Sequence, residues 1–181
     1  MAIRKSGSYS KMKVVPYTRT SKKKSKAFIK AVPPSKIVKF EMGNLNDFHL
    51  GKFPLALDLV AVERAQIRNN ALEACRQYIN KKLDENLAGQ YYYKVIIYPH
   101  HVQRENKMLT GAGADRMQTG MQLSFGKAIA KAALVKKGTK IFTICVAGEK
   151  GVLLTRKLLN QIKPKLPCKT RVDFRDDSKK I

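Results

Sequence analysis

Any chemistry performed by this chain would centre on the stretch YPHHVQRENKMLTGAGADR, residues 98–116, which holds two histidines, two arginines, a lysine and a Gly-Ala-Gly hinge. His100 and His101 are adjacent, so on an extended backbone their side chains diverge. The remaining histidine is His49, and no carboxylate or thiolate stands at ligand spacing from the pair, so no metal site is expected. General acid–base work by His100 or His101, as in an RNA-modifying or RNA-cleaving enzyme, would need a second titratable partner, and the sequence identifies none. Contact with a phosphate or a base, or a satisfied hydrogen bond, fits the two histidines better. GAGADR lacks the lysine of a phosphate-binding P-loop and the full dinucleotide fingerprint. It reads as a hinge leading into a helix whose first amides, with Arg116, could receive an RNA phosphate. There is no nucleophile elbow, and Cys75 falls on an apolar helical stripe. No catalytic residue and no cofactor are expected.

The charge balance says what such a segment would meet. Lys and Arg number 37 against 13 Asp and Glu, a formal net charge of +24 on 181 residues. That excess is costly in self-repulsion unless a polyanion neutralises it, so a nucleic acid is the expected partner. Residues 1–40 contain 12 Lys or Arg and no acid. Within residues 1–31 the cations Arg4, Lys5, Lys11, Lys13, Arg19, Lys22, Lys23 and Lys24 are interleaved with Tyr9, Tyr17 and Phe28. Too polar to order itself, this arm reads either as a solvated basic tail or localisation signal or, as its rings favour, as a segment that orders on RNA, with rings on unpaired bases and lysines on phosphates. A DNA-compacting role is the alternative that charge alone leaves open. Cys75, Cys145 and Cys168 are odd in number and far apart, which supports neither a disulfide framework nor a zinc ribbon and points to a reducing compartment. No leader-like apolar stretch opens the chain and no run approaches the roughly 18 apolar residues of a membrane span, so a cytosolic protein without a membrane partner is expected.

The elements that must carry these groups follow from periodicity. Ile37, Val38 and Phe40 suggest a short strand ending at Gly43-Asn44, and the alternation of Leu55, Leu57, Leu59 and Ala61 suggests a second. A helix is predicted over residues 65–83 with Ala65, Leu72, Cys75, Ile79 and Leu83 on one stripe, Arg68 off it, and Gly89 as the stop. YYYKVIIYP is a strand by composition. ADRMQTGMQLSF reads as a short helix, KAIAKAALV and TKIFTICVA as two strands joined by the turn KKGT, and EKGVLLTRKLLNQI as a helix burying Val152, Leu153, Leu158 and Leu159. KTRVDF closes the series as a strand. The sum is a single α+β domain, residues 32–175, in which two longer helices cover one mixed or antiparallel sheet. It is flanked by the arm, residues 1–31, and a tail, residues 176–181, and the other face of the sheet is left to a partner.

The order and spacing of KFEMGN, QIRNNALEACR, YPHHVQRENKMLTGAGADRMQTGMQLSFGKA and KLPCKTRV resemble the universal large-subunit ribosomal protein number sixteen family, called ten-e in archaea and eukaryotes. The likeness covers residues 32–174, and the RENKM…GAGADR form, with the end at Ile181, is similar to the archaeal type. Two departures are visible: the family's Arg-Pro-Ala-Arg-Cys-Tyr opening is not present, and FGKAIAKAALV puts Ala128 and Ala130 where proline and glycine are usual, which would allow a more regular strand. The resemblance implies an α/β-hammerhead-like fold and a cytoplasmic ribosomal protein seated on large-subunit rRNA near 5S rRNA, beside neighbouring ribosomal proteins and escorted by assembly factors. It also implies that the loop at residues 99–113 reaches toward tRNA in the A and P region near the peptidyl transferase centre, with Gln103, Arg104, Asn106, Lys107, Met108, Gly111 and Gly113 as the tRNA-facing residues. His100, His101, Arg68, Arg116 and Lys127 would join the arm in binding rRNA.

Overall fold

The computed structural model describes residues 16–19, 21–27, 29–105 and 126–177. Among the described residues there are two antiparallel sheets and three α-helices. The larger sheet has the order β1-β4-β7-β2-β8, from β1 (Glu41–Gly43), β4 (Tyr91–Val95), β7 (Lys140–Val146), β2 (Leu55–Ala61) and β8 (Thr170–Asp176). The smaller sheet has the order β3-β6-β5, from β3 (Ala65–Arg68), β6 (Lys127–Val135) and β5 (His101–Glu105).

The core lies between the larger sheet and two helices, α2 (Asn69–Leu87) and α3 (Glu149–Ile162), while the short α1 (Leu45–His49) follows β1. Leu72, Cys75, Ile79 and Leu83 recur at three- and four-residue spacing and are fully buried against Tyr93, Phe142 and Ile144 of β4 and β7. From α3, Leu158, Leu159 and Ile162 enter the same cluster. The two helices are tied by the Tyr78 hydroxyl, which donates to Gln161 Oε1 at 2.9 Å. At the start of α1, Asn44 Oδ1 accepts from the amide of Asp47 at 3.2 Å, occupying one of the first-turn donors that a helix leaves open.

Several expectations are corrected. Residues 65–68 belong to a strand rather than the helix: Ala65 fits the helical stripe by spacing, but pairing with β6 from Ala65↔Val135 to Arg68↔Ala132 prevails, and Ile67 suits a pleated surface. Residues 32–39, where the first strand was expected to begin, run without regular structure, as do 96–100 after Val95. KAIAKAALV and TKIFTICVA are strands, but they lie in different sheets. Their turn, with Gly138 at φ +85, is pinned sideways to the end of β2, where the amides of Gly138 and Ala61 donate to Ala61 and Thr139 carbonyls at 2.8 and 2.9 Å, so the strands splay instead of pairing. The helix over residues 149–162 is as predicted, except that Leu153 is 69% exposed and Ile162 and Thr155 are buried in its place. Pairing between β5 and β6 slips by one residue between Gln103↔Ala130 and Arg104↔Ala128, so the alanines accompany an irregularity and not a more regular strand. The expected helix in ADRMQTGMQLSF lies outside the described residues.

Gly43 and Gly89 both have positive φ, +88 and +81, but their surroundings differ. A Cβ on Gly43 would collide with the Tyr91 carbonyl oxygen, whereas one on Gly89 would meet nothing within 4 Å. Gly89→Ala is therefore expected to cost only the backbone strain of about 1–2 kcal/mol, and Gly43→Ala at least ~1 kcal/mol more. Urea unfolding of the two variants checks this, and equal losses would refute the close approach.

Candidate nucleic-acid interface

The segment that drew attention in the sequence is built on the smaller sheet. Residues 101–105 of the expected loop form β5, whose register runs from His101↔Ala132 to Glu105↔Lys127 on β6. The two strands thus hold both ends of residues 106–125 side by side. Opposite β5 stand the small side chains of Ala128, Ala130 and Ala132, which leave room for the longer groups of β5 to lie across the sheet. Gln103 does so inward: it is buried, and its Nε2 donates to Gln66 Oε1 of β3 at 3.2 Å. The amide pair leaves Gln103 bracing the ribbon, away from the outward position expected of it.

A single residue of the arm completes the other edge of β5. The Tyr17 amide donates to His101 Nδ1 at 2.9 Å, and the Val102 amide donates to the Tyr17 carbonyl at 2.8 Å. The Tyr17 ring lies 5.6 Å from the His101 ring, and the Arg104 guanidinium carbon sits 4.1 Å from the Tyr17 ring centre. His101, 3% exposed, is thus an acceptor inside a clamp that fixes the arm to the ribbon. Arg104 rests on that clamp, so it is part of the packed base of the segment, not an isolated loop charge.

The described part of the arm has order of its own. Ala27 and Ile29 are buried, and Arg19 donates through Nε to the Ile29 carbonyl at 3.2 Å and through Nη2 to the Lys30 carbonyl. Lys30 Nζ donates to the Lys24 and Ser25 carbonyls at 3.0 and 2.5 Å, closing the turn Lys24–Lys26. Contacts with the folded domain thus supply at Tyr17 an order that RNA was expected to provide. Lys22, Lys23 and Lys24 remain exposed. Arg68, half-buried, is the residue from which α2 starts, and on β3 it pairs with Ala132, the β6 residue that His101 pairs with from the other side. Lys127 begins β6. Arg4, Lys5, Tyr9, Lys11, Lys13, Asn106, Lys107, Met108, Gly111, Gly113 and Arg116 lie outside the described residues.

Charge is sorted over the surface. On the face of the larger sheet away from the helices, Glu41 pairs with Lys94 at 2.6 Å, Asp58 with Lys140 at 2.5 Å and Arg175 at 3.7 Å, Asp173 with Arg171 at 3.0 Å, and Asp177 with Arg175 at 2.8 Å. Asp58, 4% exposed at its side chain, also accepts from the Thr143 hydroxyl at 2.5 Å. Beside these pairs runs an apolar cleft of about 390 Å³, lined by Phe48, Phe53, Tyr92, Ile96 and Cys145, in which the Phe48 and Tyr92 rings stack at 3.9 Å. This face balances its own charges and so offers a phosphate backbone little net attraction. By contrast, residues 16–40 and 126–139 contain no acid at all.

Sequence reasoning passed over Phe40 and Tyr98. The two rings stack at 5.3 Å, and Tyr98 contacts the His100 ring at 4.6 Å. The signal available was the pair of rings flanking a proline in Tyr98-Pro99-His100.

The three cysteines all lie among the described residues. Burial pushes the thiols of Cys75, Cys145 and Cys168 up to about 12, 11 and 11, leaving them protonated at neutral pH and poor nucleophiles. Among the described residues no group of His, Cys, Asp and Glu could hold a metal ion, and no helix is long and apolar enough to cross a membrane. A basic ribbon braced from behind and clamped at its edge is the framework of a structural, polyanion-facing protein. The family model described as ribosomal protein L16p/L10e matches residues 13–173, and the chain belongs to that family, whose members are structural proteins of the ribosome rather than enzymes. It is 42% identical over 176 residues to the large ribosomal subunit protein uL16 of Staphylothermus marinus, covering 97% of this chain and 95% of the relative. The uL16 protein of Methanococcus aeolicus is 41% identical over 174 residues, 95% and 94% of the two chains. That of Archaeoglobus fulgidus is 41% identical over 158 residues, 87% and 84%. The archaeal type expected from the loop sequence is thus the one these relatives represent.

With this clamp, His101→Ala strands the half-buried amide of Tyr17 and lowers stability by about 1–3 kcal/mol. His101→Asn, whose Oδ1 can replace Nδ1 as acceptor, restores most of that loss. Hydrogen exchange at the Tyr17 and Val102 amides reads the clamp directly: protection should fall in the alanine variant and return in the asparagine variant.

Proposed function

We propose that this structural constituent of the large ribosomal subunit seats on large-subunit rRNA in the neighbourhood of 5S rRNA and holds the segment after β5 toward tRNA in the A and P region. Peptide-bond chemistry would belong to the RNA, and the protein would position it by phosphate neutralisation and shape contacts. The observation that carries this reading is the ribbon itself. A Gln66–Gln103 brace and the Tyr17–His101–Arg104 clamp fix the two ends of residues 106–125 on a domain with net charge +24. A long segment on a rigid base suits a probe, because immobilising the base in advance lowers the entropy lost on contact.

Roles follow residue by residue. Lys107 supplies charge, Asn106 hydrogen bonds, and Met108 an adaptable apolar tip, while Gly111 and Gly113 give the backbone freedom to approach RNA closely. Arg4, Lys5, Lys11, Lys13, Arg116 and Lys127 would meet rRNA phosphates, with Tyr9 stacking on a base. Neighbouring ribosomal proteins, and assembly factors during maturation, complete the partners.

Two measurements test the reading. In a sucrose gradient of cell lysate the chain should travel with large subunits and whole ribosomes and stay with them through moderate salt, because many phosphate contacts act together. Confinement to the top fractions would overturn the rRNA seat. Replacement of residues 106–113 by a short glycine linker should leave folding and rRNA binding intact, since β5 is spared, yet slow tRNA accommodation or late subunit maturation. Unchanged peptidyl-transfer and tRNA-binding rates on normally assembled ribosomes would reduce the segment to a filler of an rRNA crevice.

A further inference from the structure

Tyr98, Pro99 and His100 lie between β4 and β5 and are used neither by the core nor by the clamp. The His100 amide donates to the Tyr98 carbonyl at 3.0 Å, a turn centred on Pro99, which is itself buried. A proline ring locks its own φ, and a three-residue turn of this kind fixes the neighbours on either side. The result is that two aromatic side chains leave a rigid corner together: the Tyr98 and His100 rings are 4.6 Å apart at 48°. Behind Tyr98 stands Phe40, 5.3 Å away at 23°, half-buried against the main core. Phe40 is held in turn by its backbone, whose carbonyl accepts from the Val95 amide at 2.8 Å. The stack is therefore anchored at one end and open at the other, with Tyr98 45% exposed and His100 exposed.

An exposed, prearranged ring stack offers a π-face, and the charge around it selects the ligand. Phe40 follows Lys36 and Lys39, both exposed and in no ion pair among the described residues. The nearest acid in sequence is Glu41, committed to Lys94. An apolar protein segment would gain little from unneutralised lysines one and four residues before Phe40, whereas a nucleotide presents a flat base to the rings and a phosphate to the cations.

We propose that Phe40, Tyr98 and His100 form a stacking platform for one unpaired RNA base, with Lys36 and Lys39 meeting the adjoining phosphates. This rests on the RNA-binding reading above and adds to it a site with a different chemistry, since the contact depends on the base and not only on the backbone charge.

The test compares two probes with the full-length chain: a short oligoadenylate and an abasic oligonucleotide of the same length. Tyr98→Ala should weaken oligoadenylate binding by about 5- to 100-fold, the worth of one stacked base, and leave binding of the abasic strand unchanged. Tyr98→Phe should behave as the unaltered protein, because only the ring is required. Lys39→Ala should weaken both probes and flatten the salt dependence, a slope that Tyr98→Ala leaves alone. Equal affinity of the Tyr98→Ala variant and the unaltered protein for oligoadenylate, or an equal loss on both probes, overturns the platform while leaving RNA binding in place. Failure of the unaltered protein to bind either strand overturns the RNA reading itself, and the platform with it. Thermal melts of the variants separate these outcomes from unfolding.

Discussion

Mutual repulsion among 24 excess positive charges on 181 residues is the constraint around which this molecule is organised. With only 13 acids available, the fold cannot neutralise itself, and where the acids stand decides which surfaces remain electropositive. Most of those in the described residues have specific local partners. Glu73 accepts from Arg76 and Gln77, and the Arg76 guanidinium beside it holds its carboxyl below the ordinary range. Asp84 accepts from Asn80 and from the Tyr91 hydroxyl, while Asp58 gathers Lys140, Arg175 and Thr143. The acids cluster on α2 and on the open face of the larger sheet, so α2 and that sheet face are close to balanced. The arm, the turn after β6 and the β6 side of the ribbon are left basic. Such a segregated surface is stable in isolation only at a cost, and gains by contact with a polyanion.

The second theme is rigidity placed where contact is expected. Among the described residues the smaller sheet has three strands, which by themselves would make a weak platform. It is reinforced from inside by the buried Gln66–Gln103 pair and at its edge by Tyr17, whose amide and carbonyl are both engaged by β5. An exposed strand edge invites unwanted pairing, and a single arm residue bonded there blocks it locally. The same contact ties Tyr17 of the basic arm to the ribbon at His101 and Val102.

These features fit membership of a family of ribosomal structural proteins better than they fit either alternative that the composition left open. An acid–base enzyme would need a histidine free to exchange protons beside a second titratable group, and His101 is committed to the Tyr17 amide. A DNA-compacting protein would be served by charge spread over the whole surface. Here charge is sorted, rings are prearranged at Tyr98 and His100, and one large face is neutral and lined by aromatic and aliphatic side chains.

The sequence by itself determined the parts whose causes are local. The α3 helix over residues 149–162, the Leu72, Cys75, Ile79 and Leu83 stripe, strand β2 and the stop near Gly89 are written in periodicity and turn chemistry, and the family is legible in the order of its motifs. What only the tertiary structure decided are matters of pairing. Residues 65–68 could satisfy a helical stripe or a strand, and the presence of β6 chose the strand. KAIAKAALV and TKIFTICVA could have formed a hairpin, but hydrogen bonds from their turn to Ala61 split them between two sheets. Tyr17, Gln103 and His101 carry no local mark of their roles, because a buried amide pair and a one-residue strand addition join positions 37 and 84 residues apart. Periodicity reports which face of an element is apolar; it holds no information about which distant backbone will supply the missing hydrogen bond.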